Sequence, residues 1–224
     1  MKRILVFIPV LVFFMDIVLT GSAENDPVPL FVIEGLGNGY STPAITSDRI
    51  FVTGETNGTG YLYAYDRQGQ LLWKTGYGRE WVTNYRGTRA SPVVADSLVY
   101  ATSGSGDIAC FDIRTGKKRW AVNMIRELHG AEVTFGYSLP VVVGNGRIYC
   151  LPGGADTNIA CLDRFTGQVI WTARGNGETP GYAEPVILQH KDRRLLVVFS
   201  EMSMAGLDAD SGKVLWMQDF SITG

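Results

Sequence analysis

Apolar and polar positions along this chain change over short distances. Between residues 41 and 78, the β-branched and aromatic blocks Ala44-Ile45, Arg49 to Val52, Tyr61 to Tyr65 and Leu71 to Lys74 are separated by turn residues. That pattern predicts four short strands. No stretch keeps its apolar residues at spacings of three and four, which argues against a helical solenoid. The four-strand unit then recurs. Tyr63-Ala64-Tyr65-Asp66-Arg67-Gln68-Gly69 leads to Trp73, and Ile108-Ala109-Cys110-Phe111-Asp112-Ile113-Arg114-Thr115-Gly116 leads to Trp120. Ala160 to Gly167 leads to Trp171 through Asp163, and Ala205 to Gly212 leads to Trp216 through Asp208. The tryptophans are 47, 51 and 45 residues apart; Pro43, Pro92, Pro140 and Pro185, each opening an apolar segment, follow at 49, 48 and 45. Two markers in phase at this period predict an all-β propeller with four antiparallel four-stranded blades, at about 41–78, 89–123, 137–174 and 182–219.

Each repeated residue has a mechanical reason. Asp112, Asp163 and Asp208, with Asp66 as a shortened version, open tight hairpins whose side chains bond nearby amides, and Gly69, Gly116, Gly167 and Gly212 take the positive φ that such a turn needs. Trp73, Trp120, Trp171 and Trp216 open the outer strands, with enough area to fill the wedge between neighbouring blades. Ala64, Cys110, Cys161 and Gly206 leave room for them. Cys110 and Cys161 therefore read as small buried hydrophobes. The third cysteine, Cys150, makes an odd number, and a Cys150–Cys161 bridge is conceivable but weakly favoured.

The N-terminus is the most biased segment. Lys2 and Arg3 precede an apolar run from Ile4 to Met15, and Gly21-Ser22-Ala23 supplies small residues, so residues 1–23 read as a secretory signal cleaved after Ala23. An uncleaved anchor is the competing reading, disfavoured because Asp16 would be costly in a bilayer. Export to the periplasm or medium follows, with no stable transmembrane segment after cleavage. Cleavage takes 20 basic and 22 acidic side chains to 18 and 21. A mildly acidic surface without a basic run offers nothing for gripping phosphates, which argues against a nucleic-acid partner.

The string Ala/Cys-x-Asp-x-x-Thr-Gly-x-x-x-Trp resembles the repeat of pyrroloquinoline-quinone-like (PQQ-like) propellers. That family holds quinoprotein dehydrogenases and the scaffold protein of the outer-membrane β-barrel assembly machinery. The resemblance implies seven or eight blades in a closed ring, so four blades are expected to be a partial ring. It also implies that residues 24–40 hold a clasp strand and link, with Phe31 in the tryptophan slot. An open arc would expose apolar blade faces, and two half rings paired head to tail would cover them.

In a propeller, the links between blades gather on one face around the channel. Counting back three residues from each repeat proline gives Tyr40, Arg89, Tyr137 and Tyr182, and Glu184 lies one residue before Pro185. An aromatic ring with one cation and one carboxylate suits a polar organic ligand or peptide; the plainer reading is that the tyrosines pave the inner rim. Glu127, His129 and Glu132 can be imagined as metal ligands, but spacing alone does not support that, and a solvated loop is preferred. No metal and no catalytic residue is assigned. A PQQ enzyme of the family would need Ca²⁺ held by carboxylate and amide oxygens, an Asp base and groups for the cofactor carboxylates. The sequence has no adjacent cysteine pair, and the Asp in every blade marks a turn. A non-catalytic binding or scaffold module for a protein or glycan partner is the preferred reading; a fragment of a PQQ- and Ca²⁺-dependent alcohol dehydrogenase is the alternative.

Overall fold

The computed structural model describes residues 29–220, so the expected signal segment, 1–23, lies outside the described residues. Four antiparallel sheets follow one another along the chain, each a meander whose spatial order is its sequence order. The first sheet is β1 (Ala44–Ile45), β2 (Arg49–Thr56), β3 (Thr59–Asp66) and β4 (Leu71–Arg79). The second is β5 (Val93–Ala95), β6 (Leu98–Thr102), β7 (Asp107–Asp112) and β8 (Lys118–Asn123). The third comprises β9 (Val142–Gly144), β10 (Arg147–Cys150), β11 (Ile159–Asp163) and β12 (Val169–Ala173). The fourth comprises β13 (Val186–His190), β14 (Arg193–Phe199), β15 (Ser203–Asp208) and β16 (Val214–Asp219). No helix occurs among the described residues, so none there is long and apolar enough to cross a membrane.

Register explains the small-residue slot. Phe51, Ala64 and Trp73 are cross-strand partners in the first sheet, as are Tyr100, Cys110 and Trp120 in the second and Tyr149, Cys161 and Trp171 in the third. Because the middle residue is small, the outer rings meet across it, with centroids 5.9, 6.0 and 5.9 Å apart. The fourth sheet has Val197, Gly206 and Trp216 in that row. Its indole lies over Gly206, where a Cβ would stand 2.2 Å from the ring. Each tryptophan is the third residue of its outer strand, just after a β-bulge that sharpens the local twist.

The same indole joins one sheet to the next. A Cβ on Gly116, Gly167 or Gly212 would lie 2.6, 2.7 or 2.6 Å from Trp73, Trp120 or Trp171 of the preceding sheet. The indole Nε1 donates to the carbonyl of the residue after the turn Asp: Trp73 to Ile113 at 3.3 Å, Trp120 to Arg164 at 3.0 Å and Trp171 to Ala209 at 3.3 Å. The turn is held rigid for this purpose. Asp112 Oδ1 accepts from the Arg114 and Thr115 amides and the Thr115 hydroxyl, and Asp163 and Asp208 repeat the arrangement with Thr166 and Ser211. Asp66 takes the amides of Gln68 and Gln70 in the shortened first turn.

Between the sheets lie continuous apolar layers, such as Phe51, Leu62 and Ala64 against Val99, Ala109 and Phe111. The chain's own N-terminal segment covers the free side of the first sheet. Ile33 and Leu36 pack on Ile50, Val52, Tyr63 and Tyr65, and Phe31 sits on Gly69 as a tryptophan does on later turns. Of the clasp strand and link expected in 24–40, residues 29–40 are described; they form no named strand but bridge to β2 through Asn38 and Glu55 and to the first link through Gly39 and Thr88. Their side chains do the packing without a ladder. None of the described residues covers the far side of the fourth sheet, where Val186, Leu188 and Trp216 are between 39% and 48% exposed.

The three cysteines are free and buried. Cys161 pairs across the strands with Tyr149, whereas Cys150 pairs with Ala160. Adjacent residues of a strand face opposite ways, so Cys150 points into the layer shared with the second sheet and Cys161 into that shared with the fourth. The conceivable Cys150–Cys161 bridge is thereby ruled out. Burial pushes the Cys110 thiol up to about 12 and Cys161 to about 11.

The docking geometry separates the tryptophans energetically. Trp120→Ala is expected to cost roughly 3–5 kcal/mol, as for a core aromatic, and Trp216→Ala, measured on the dilute monomer, about 1 kcal/mol or less, as for a surface site. Urea denaturation of the two variants reads the difference; equal losses would contradict the indole-on-glycine joint.

Candidate functional site

The three links and the loops between second and third strands meet on one face. Two clefts open there. The first, about 440 Å³, lies between the link after β4, the β6–β7 loop and the link after β8; its walls include Arg79, Glu80, Trp81, Asp107, Asn123, Arg126, Glu132 and Tyr137. The second, about 420 Å³, lies between the links after β8 and β12 and the β14–β15 loop. It is aromatic: Phe135, Tyr182, Phe199 and Phe220 line it, with Glu201. The Phe135 and Tyr182 rings are 6.3 Å apart and tilted, and those of Phe199 and Phe220 stack at 6.2 Å.

The residues marked by counting back from the prolines do not form one ring. Tyr40 is exposed, and its amide donates to Thr88 O at 2.8 Å. Arg89 turns back into its own link, donating to the carbonyls of Gly87, Asn84 and Tyr85. Tyr137 is buried, its hydroxyl 2.7 Å from the carbonyls of both Ala131 and Pro152. Tyr182 is exposed on the aromatic cleft and shares a smaller pocket with Tyr137. Glu184 is exposed and lines none of these hollows. Arg89 and Tyr137 thus hold loops in place, because a buried phenol and a half-buried guanidinium satisfy their donors on the carbonyls around them. Glu127 accepts the Asn123 amide at 2.9 Å and so caps a turn. Among the described residues, no three His, Cys, Asp or Glu side chains converge to hold a metal ion.

Two buried carboxyls, Glu55 and Glu80, were not singled out by the spacing argument. Glu55 accepts Arg86 through Nε at 2.8 Å and Nη2 at 2.7 Å, plus Asn38 Nδ2 at 3.0 Å and the Gly58 amide. The guanidinium, first among these, holds its carboxyl down at about 2. This fork ties the N-terminal segment, the β2–β3 loop and the first link together. Glu80 has no such cation. It accepts the Tyr77 hydroxyl, the Gly104 amide at 2.8 Å and the Trp81 amide at 3.3 Å, and burial pushes its carboxyl up to about 7. An acidic residue at the end of a β run beside a turn is the only sequence signal either offered. Asp107 is fully engaged, taking the Arg79 amide at 3.0 Å and Asn123 Nδ2 at 2.8 Å, with Arg126 at 3.6 Å.

Comparison with known proteins places this geometry. A family model described as outer membrane protein assembly factor BamB matches residues 58–222. The chain is 25% identical over 183 residues to the outer membrane protein assembly factor BamB of Shewanella oneidensis, covering 78% of this chain and 42% of that protein. It is also 25% identical over 163 residues to the quinoprotein ethanol dehydrogenase of Pseudomonas aeruginosa, covering 66% of this chain and 25% of that one. The crystal structure of BamB from Moraxella catarrhalis shares the fold, with a TM-score of 0.54 at 18% identity over 80% of this chain and 48% of that chain. The chain therefore spans between a quarter and a half of the length of these relatives.

The Arg86–Glu55 fork makes a prediction about acid stability. With its folded value near 2 against an ordinary 4.5, Glu55 contributes stability that is present above pH 4.5 and lost as pH falls toward 2. Arg86→Ala, leaving the carboxylate buried without its cation, is expected to lower the urea midpoint at neutral pH and to flatten that acid limb. Urea midpoints between about pH 2 and 7 check both.

Proposed function

The chain belongs to the family described as outer membrane protein assembly factor BamB, and from that premise we propose that it is an exported, non-catalytic propeller module that binds a protein partner in the cell envelope. The observation that carries this reading is the aromatic cleft of Phe135, Tyr182, Phe199 and Phe220 beside the polar cleft of Glu80 and Asp107, on the face where three links meet. Exposed aromatic rings with a polar rim are the composition of a protein-recognition surface. A partner acting in outer membrane protein assembly is the first class to test, and a glycan stacked on the same rings is a second.

A PQQ- and Ca²⁺-dependent alcohol dehydrogenase fragment is the other reading, favoured by the identity shared with the quinoprotein. The donor chemistry here does not fit it. The repeated Asp residues are spent on turn amides, Asp107 is spent on loop contacts, and no group of three potential ligands converges among the described residues. No step is assigned to that cofactor.

A photo-cross-linking residue in place of Tyr182 is expected to capture an envelope protein, while the same probe in place of Leu72 on an outer strand captures far less; equal capture would sink the cleft as the binding surface. Alcohol-dependent dye reduction by the purified chain with added PQQ and Ca²⁺ would overturn the non-catalytic reading. Head-to-tail pairing of half rings would bury Trp216, so light scattering should show a dimer that Trp216→Asp dissociates, whereas a wild-type monomer removes that contact.

A further inference from the structure

The two clefts on the link face differ in how their charge is balanced. In the polar cleft, Arg79 and Arg126 stand among Glu80, Asp107 and Glu132, so each sign of charge is answered there. The aromatic cleft holds four rings and one carboxylate, Glu201, and no lysine, arginine or histidine among the described residues that line it. An aromatic ring presents a negative face, which attracts a cation as a carboxylate does. Rings and carboxylate therefore favour positive charge, and the lining supplies none. Phe135, Tyr182 and Phe220 are each more than 40% exposed, so their ring surface is open to a ligand.

The backbone fixes how these groups are aimed. Pro180, in the link after β12, bridges antiparallel to Ser200 just beyond β14, with the Gly181 amide on Phe199 O and the Glu201 amide on Thr179 O, both at 3.0 Å. Phe199 and Glu201 flank Ser200 in this extended run and so project to the same side. Thr179, opposite Glu201, donates its hydroxyl to Oε2 at 2.7 Å and steadies the carboxylate. Oε1 takes no hydrogen bond among the described residues, so the carboxylate keeps acceptor capacity for a ligand. A second carboxylate stiffens the same junction, since Glu178 accepts the Met202 amide at 3.1 Å and the Ser203 hydroxyl at 3.0 Å.

We propose that the aromatic cleft receives an arginine side chain of the partner protein, its guanidinium lying on the rings and donating to Glu201 Oε1. A guanidinium suits the lining better than an ammonium: it is planar, stacks on an aromatic face, is more weakly hydrated and still presents donors at its edge for a carboxylate. The inference rests on the partner-binding reading of this cleft and adds the chemistry of what enters it.

The test is amide NMR of the full chain, titrated with Nα-acetyl-arginine methylamide and separately with its citrulline analogue, which keeps the shape and replaces the cation by a neutral urea. The Gly181, Ser200 and Glu201 amides should shift with the arginine probe, while Gly104 in the polar cleft stays still. Arginine should bind about three- to tenfold more tightly than citrulline, the size of an exposed cation–π contact plus an exposed ion pair. Glu201→Gln, a nearly isosteric change at an exposed side chain, should bring arginine down toward citrulline, and added salt should do the same. Equal affinities for the two probes, no shift with either, a Gly104 response as large as that at Glu201, or an arginine preference untouched by Glu201→Gln overturns the proposal. Cross-linking from Tyr182 separates its failure from that of the partner-binding reading. A protein captured there while the two probes bind alike discards the arginine and keeps the partner; arginine selectivity without any captured protein discards the partner and leaves the cation site.

Discussion

An indole seated on a glycine turn carries the architecture. A propeller sheet is apolar on both faces and cannot stand alone, so each must be keyed to the next at a fixed angle. Here the key is the tryptophan of one sheet lying on the Asp-x-x-Thr/Ser-Gly turn of its successor, with its Nε1 on the carbonyl after the Asp. The glycine serves two needs at once: it takes a φ of 68–74° at these three turns, and it has no Cβ to push the ring away. Because the contact is both apolar and hydrogen-bonded, it sets position as well as affinity.

Once the sheets are keyed, the links between them are brought to one face. There the chain places polar groups that regular strands would not tolerate. Glu55 and Glu80 are both buried acids at the ends of strands in the first blade, yet their environments push them in opposite directions. The bidentate guanidinium of Arg86 keeps one ionised, and burial among neutral donors makes the other a weak acid. One joins loops through an ion pair, and the other is held only by a phenol and backbone amides.

The asymmetry of the two ends follows from the same joint. At the first sheet, Phe31, Ile33 and Leu36 supply the apolar cover that a preceding sheet would give. Phe31 cannot make the indole hydrogen bond, so the cap reproduces the burial and not the full joint. At the fourth sheet the Trp216 face has no such cover among the described residues. Exposed apolar sheet surface of this kind is a contact surface in waiting.

The period, the four-strand unit and the roles of Asp112, Gly116, Trp120 and their counterparts were legible from residue order, because turn chemistry and strand alternation are local. So was the small slot at Cys110 and Cys161. The site was much less so. Tyr40, Arg89, Tyr137 and Tyr182 share a sequence offset, but the links differ in length and course, and tertiary packing buries Tyr137, ties Arg89 to its own loop and leaves Tyr182 on an aromatic cleft. Which carboxyls lose their solvent was decided only in three dimensions, since a proton affinity depends on neighbours drawn from other strands and links. The sequence alone determined how the sheets are made and joined; folding alone determined which groups their junctions bury, because burial belongs to the space between sheets and not to any one segment.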